Sequence, residues 1–162
     1  MSASTNTHTI TPEQRLEQLG IVLPVVSAPR GNFEAYVLDG NMLYLSGKGW
    51  PLREDMATVP KVGREISAEE ARQHARTVGL HLIATLQVAL RDLSRVRRVV
   101  KVLGMVNAVP DFMQHTEVVN GCSDLLVEVF GDAGRHARSA VGVGSLPRGF
   151  AVEIEAIVSV RD

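Results

Sequence analysis

Arg138, Glu153 and Glu155 are the residues whose type and spacing are best suited to chemistry. They fall in two β-rich runs, Ala137-Arg138-Ser139-Ala140-Val141 and Val152-Glu153-Ile154-Glu155-Ala156-Ile157-Val158, on either side of a Leu146-Pro147-Arg148-Gly149 turn. A guanidinium is a planar fork of donors that matches a carboxylate, and a carboxylate can orient or deprotonate water. On an alternating strand a charge costs little on the solvent face, but an inward charge needs a partner or a ligand. Two readings follow. Either Arg138 forms a structural ion pair with an acidic residue on the neighbouring strand, or it lines an anion-binding pocket. The local pattern alone favours the ion pair and leaves the pocket open.

Other chemistries fit less well. His8, His74, His81, His115 and His136 form no short ligand pair and the one cysteine has no partner spacing, so neither a metal nor a cofactor is expected. His74 and His81 share a helix face, which packing explains. Cys122 sits on the apolar side of a helical pattern and reads as a small core residue, not a nucleophile. Gly142-Val143-Gly144 precedes a turn and strand, whereas a dinucleotide fingerprint must open a helix. No Gly-x-Ser-x-Gly elbow is present. A formal net charge of -1 and an aromatic content of 4% argue against nucleic acid and an anionic membrane as partners.

The elements that must position Arg138 and Glu153 are legible from capping, turn and periodicity signals. At 162 residues, 45% of them hydrophobic, the chain is one domain's length with a sizeable core. Residues 1–10 read as a disordered tail without the apolar run of a secretory signal, and residues 11–162 as a single domain with an N-terminal helix extension. No apolar run is long enough to span a membrane, and a lone cysteine suits a reducing cytoplasm. Thr11-Pro12-Glu13-Gln14 opens a helix that ends near Gly20. Strands are expected at 33–38 and 42–47 around the Asp39-Gly40-Asn41 hairpin, the second buried on both faces. Residues 50–65 read as an excursion without a period. Ser67-Ala68-Glu69-Glu70 caps a long helix whose stripe is Ala71, Ala75, Val78, Leu82, Leu86, Ala89 and Leu93. Arg95, Arg97, Arg98 and Lys101 are expected at its solvated end. A buried strand at 99–106 follows, then Val109-Pro110-Asp111 as a turn or helix start and a helix running to about Phe130, in which Gly121 is unfavourable by about 1 kcal/mol relative to Ala. Two strands close the chain. The order predicts an α+β domain, a two-layer arrangement of one sheet and two main helices.

Several of these segments together resemble the RidA/YjgF family, also labelled L-PSP endoribonuclease: Gly40-Asn41-Met42-Leu43 with Leu45-Ser46-Gly47, the long helix and strand, Asn120, and above all Ala137 to Val141 through Leu146-Pro147 to Val152-Glu153-Ile154-Glu155-Ala156. The match runs in order over about residues 30 to 160. The resemblance implies a chorismate-mutase-like fold and a homotrimer whose three sheets form a central barrel, with clefts between subunits. It implies a ligand that is a small carboxylate or 2-imino acid, hydrolysed to a 2-keto acid and ammonia. On this likeness Arg138 pairs with the substrate carboxylate, Ala140 offers a backbone N–H, Glu153 places the attacking water, and Asn120 and Phe33 line the cleft. Ala140 stands where the family commonly has Cys, Phe33 where it has Tyr, and Lys48 where it has Gln. These departures mark a divergent branch. Two other functions remain in view: a trimeric protein that binds small carboxylates without turnover, and the endoribonuclease of the family label, which the charge balance disfavours.

Overall fold

Thr11 and Ser67 each begin a helix by the same device. In both, the hydroxyl accepts the backbone N–H three residues on, and that residue's side chain accepts the cap's own N–H. The structure, a computed structural model, describes residues 10–49 and 59–161. Residues 1–9 of the expected tail and residues 50–58 of the expected excursion lie outside the described residues. The first cap starts α1 (Pro12–Gln18), which buries Leu16 and docks when Glu13 accepts the Leu93 N–H at 2.6 Å. The second starts α2 (Ala68–Leu90), where Ala71, Ala75, Val78, Leu82 and Leu86 are buried as the stripe requires. Leu93 is buried too, although it belongs to the turn after the helix.

The strands are β1 (Tyr36–Asp39), β2 (Met42–Gly49), β3 (Val96–Val106), β4 (Ala137–Gly142) and β5 (Val152–Val160), in the sheet order β1-β2-β5-β3-β4. All neighbours are antiparallel except β3 and β4, which run parallel. The third helix, α3 (His115–Phe130), packs beside α2 on one face of the sheet. Leu43 and Leu45 of β2, Val102 and Val106 of β3, and Val152, Ile154, Ala156 and Val158 of β5 fill the space between the layers. This is the expected two-layer α+β architecture.

Three expectations need correction, and a fourth, left open, is decided. The first strand begins at Tyr36 and leaves Phe33 in a bend, 56% exposed. The partner strand is not buried on both faces: Leu43 and Leu45 point to the helices, whereas Tyr44 between them is 43% exposed. Arg97, Arg98 and Lys101 belong to β3, because α2 stops at Arg91, whose left-handed backbone (φ 63°) ends it ten residues before Lys101. Val109-Pro110-Asp111, read as a turn or helix start, holds the turn, and the helix starts at His115. Asn107 and Val109 instead exchange backbone hydrogen bonds with Val62, so that stretch is committed to an isolated bridge.

Gly121 has a packing reason that its helix propensity hides. A Cβ there would collide with the Arg72 carbonyl oxygen of α2, so glycine is what lets the two helices approach this closely. Arg72–Asp124 at 2.9 Å and Arg76–Glu128 at 2.6 Å tie the same seam on its solvent side.

Candidate functional site

Arg138 lies on β4, an edge strand, opposite Val102 of β3. Register therefore turns its side chain to the helix layer, where it meets α3. Its Nη1 donates to Asn120 Oδ1 at 2.8 Å and to Ser123 Oγ at 3.0 Å. Asn120 and Ser123 are one helical turn apart, so α3 presents both to the same strand. Among the described residues Arg138 has no acidic partner. The ion pair favoured by the local pattern is absent because the strand next to β4 is β3, not the glutamate-bearing β5. A half-buried guanidinium held by two neutral groups through one nitrogen keeps its charge and its remaining donors for something else.

The surrounding groove, about 370 Å³ and open to solvent, is lined by Asn120, Ser123, Val127, Arg135, His136 and Arg138, with Asp124 at its rim. His136 Nδ1 lies 2.6 Å from the Gly134 carbonyl and its Nε2 3.0 Å from Ser123 Oγ. A carbonyl only accepts, so Nδ1 carries the hydrogen, Nε2 accepts, and Ser123 donates to it. Burial holds the His136 pKa below the usual histidine value; the bond to Gly134 opposes this and the charge of Arg138 reinforces it. Ser123 and His136 were not among the candidates read from the sequence. Two signals pointed to them: the three-residue step from Asn120 to Ser123 on a helix, and the two-residue step from His136 to Arg138 entering a strand.

Glu153 is elsewhere. It sits on β5 opposite Met105 of β3 and Gly49 of β2, on the sheet face away from the helices, while its neighbour Ile154 faces the core. A Cβ on Gly47 would collide with Glu153 Oε1, so glycine makes room for this carboxylate. Burial raises the Glu153 pKa above the usual glutamate value, and Glu155, two residues on and on the same face, raises it further. Ala140 follows Arg138 along the edge strand, opposite Gly104. Phe33 lies before β1, at the other edge of the sheet. Four strand spacings, roughly 19 Å, separate the two edges. The chain thus joins Arg138, Asn120 and Ala140, but leaves Glu153 on the opposite face and Phe33 at the far edge.

Cys122 is fully buried in the core, its thiol pKa pushed up to about 12 by desolvation. His74 and His81 are half-buried on α2, both with pKa values lowered chiefly by burial. Among the described residues no cluster of three or more His, Cys, Asp and Glu side chains could hold a metal ion, and no helix is long and apolar enough to cross a membrane.

The two-layer α+β fold, with an edge-strand arginine held by a helix asparagine, defines the class of small α+β proteins to which the chain is to be compared. Within that class, the chain belongs to the RidA/YjgF family: the family described as "YjgF/chorismate_mutase-like, putative endoribonuclease" matches residues 13–150. It is 41% identical over 148 residues to "Protein TCP17" of Trypanosoma cruzi, covering 91% of this chain and 92% of that protein. A crystal structure of a protein of unknown function from Agrobacterium tumefaciens is 39% identical, with a TM-score of 0.81 over 93% of this chain and 94% of that one. One from Shewanella oneidensis, titled "putative endoribonuclease", is 31% identical with a TM-score of 0.85, covering 93% and 99%.

Proposed function

We propose that the protein is an imine deaminase that hydrolyses a small 2-imino acid to a 2-keto acid and ammonia, in a cleft completed between the subunits of a homotrimer. The observation that carries this reading is the half-buried Arg138, held by Asn120 and Ser123 with no acidic partner among the described residues. Such a group attracts a carboxylate, and its fork orients the substrate. An imine carbon is already electrophilic, so the reaction asks for an oriented water and a group that handles protons. Glu153, its pKa raised by burial, suits that role.

The separation of these groups supports a site shared between subunits. Arg138 and Glu153 face opposite sides of one sheet, and in this reading the Arg138 edge of one protomer meets the Glu153 face of another. The open face carries Val37, Tyr44, Leu103, Met105, Val141 and Ile157. Val37, Tyr44 and Val141 are 54%, 43% and 42% exposed in the isolated chain, an apolar surface suited to subunit contact.

The reading is tested by generating imino acids in place with an amino-acid oxidase and following keto-acid release. Arg138→Ala should abolish acceleration, and Arg138→Lys should restore little of it because an ammonium lacks the bidentate fork. Glu153→Gln should lower the rate by roughly 10²–10⁴. No acceleration by the wild-type protein across several 2-imino acids would overturn the proposal.

A further inference from the structure

The Arg138 groove contains a hydrogen-bonded chain that anchoring a carboxylate does not require. It runs from the Gly134 carbonyl to His136 Nδ1–H, from Nε2 to the Ser123 hydroxyl hydrogen, and from the Ser123 oxygen to Arg138 Nη1–H. The ends fix their own links, since a carbonyl cannot donate and a guanidinium cannot accept, and a neutral imidazole with its hydrogen on Nδ1 then fixes the middle one. In this state the Ser123 hydrogen is turned away from Arg138 toward the imidazole. Protonation of Nε2 reverses the middle link. The imidazolium then donates to Ser123 Oγ, which frees the hydroxyl hydrogen to point into the groove.

We propose that His136 and Ser123 form a proton relay opening into the Arg138 groove, so that a carboxylate-bearing ligand is bound together with one proton. The proposal rests on the reading of Arg138 as a carboxylate anchor. Its chemistry balances without another reactant. Solvent supplies a proton to His136 Nε2 as the anion enters. The Nε2–H bond then breaks as a new O–H bond forms at Ser123, while the original Ser123 O–H bond breaks to make N–H on an imine nitrogen. His136 is left neutral, Ser123 is unchanged, and the iminium so formed is the better electrophile for water.

The charges around His136 allow this. Arg138 on β4 opposes the imidazolium, and a bound carboxylate neutralises that opposition. Asp124 on α3 is engaged by Arg72 at 2.9 Å, and Asp132 lies 3.4 Å from Arg135. From β3, Arg98 donates to the Arg135 carbonyl at 3.1 Å. By reciprocity, a ligand that favours protonated His136 binds more tightly when His136 is already protonated.

Two measurements on the full chain decide the matter. The first needs no ligand: ¹⁵N-resolved imidazole spectra of wild type and Arg138→Ala, with His136→Gln for assignment. The Nδ1–H tautomer is expected in wild type, and a titration midpoint moved upward in Arg138→Ala. An Nε2–H tautomer, or an unmoved midpoint, overturns the relay while leaving the anchor reading intact. The second is pyruvate binding by calorimetry at pH 5.5 and 8. Wild type should bind roughly three- to tenfold more tightly at the lower pH, with proton uptake, and His136→Gln should lose most of that dependence. The same pH dependence in both proteins overturns the relay alone. Failure of wild type to bind pyruvate at either pH overturns the anchor reading and the relay together.

Discussion

Gly121→Ala puts a steric requirement against a helix propensity of opposite sign. In an unobstructed helix interior the change from Gly to Ala stabilises by about 1 kcal/mol. Here the added Cβ would overlap the Arg72 carbonyl oxygen and carbon, with the Arg72 Cγ at 3.1 Å. The first two are backbone atoms of a 23-residue helix and cannot rotate away. Relief requires α2 and α3 to part along a seam that also holds Leu125 and Cys122 against Gly79. Overpacking of this kind costs about 1–3 kcal/mol, and more where backbone must move, so the sign is reversed. A net loss of roughly 1–2 kcal/mol lowers Tm by roughly 2–8 °C for a chain of this length. Asn120 precedes Gly121, so the displacement should also weaken carboxylate binding at Arg138. Gly144→Ala is the control, because no atom lies within 4 Å of its added Cβ. Calorimetric melts of the three proteins decide it. A Gly121→Ala variant as stable as wild type, or more so, would refute the close-approach argument.

Glu153→Gln should raise Tm at pH 8 and bring little change at pH 5. A carboxyl whose folded pKa is raised above its unfolded value favours the fold when protonated, and that contribution is lost as pH rises through the folded pKa. Melting curves across this window check the sign; a variant less stable than wild type at pH 8 would contradict it. Cys122 should resist thiol reagents at neutral pH in the folded protein and react once unfolded, because its thiol is buried with a pKa of about 12. Mass spectrometry after iodoacetamide with and without denaturant reads this directly, and labelling of the native state would refute it. Light scattering at micromolar concentration should give the mass of three chains, and a monomer mass would remove the shared cleft.

Most of the fold was legible because its signals are local. Two capping boxes started α1 and α2 at the right residues, and the stripe from Ala71 to Leu86 marked the face of α2 that is buried. Errors arose where non-local pairing decided the outcome. The 107–109 segment has a turn and helix signal, yet its backbone is taken by Val62, a partner some 45 residues earlier, and α3 starts late. Gly121 has a poor helix propensity, yet the tight packing of α3 against α2 requires it. In the site, Arg138 stands out by residue type and strand position and Asn120 by family likeness, and the two are in contact at 2.8 Å. Ser123 and His136 are not legible in the sequence, because a hydroxyl–imidazole pair drawn from two elements leaves no short motif. Glu153 and Phe33 could not be placed relative to Arg138 from sequence, since strand order, not strand content, separates them.

Mixing two inactive variants tests most directly the claim that Arg138 of one subunit works with Glu153 of another. Arg138→Ala and Glu153→Gln chains, differently tagged, are co-refolded in equal amounts, and trimers carrying both tags are assayed for keto-acid release from imino acid. In a trimer carrying both tags one of the three clefts regains both side chains, so roughly a third of wild-type activity should return. Mixed trimers no more active than either parent would contradict the shared site.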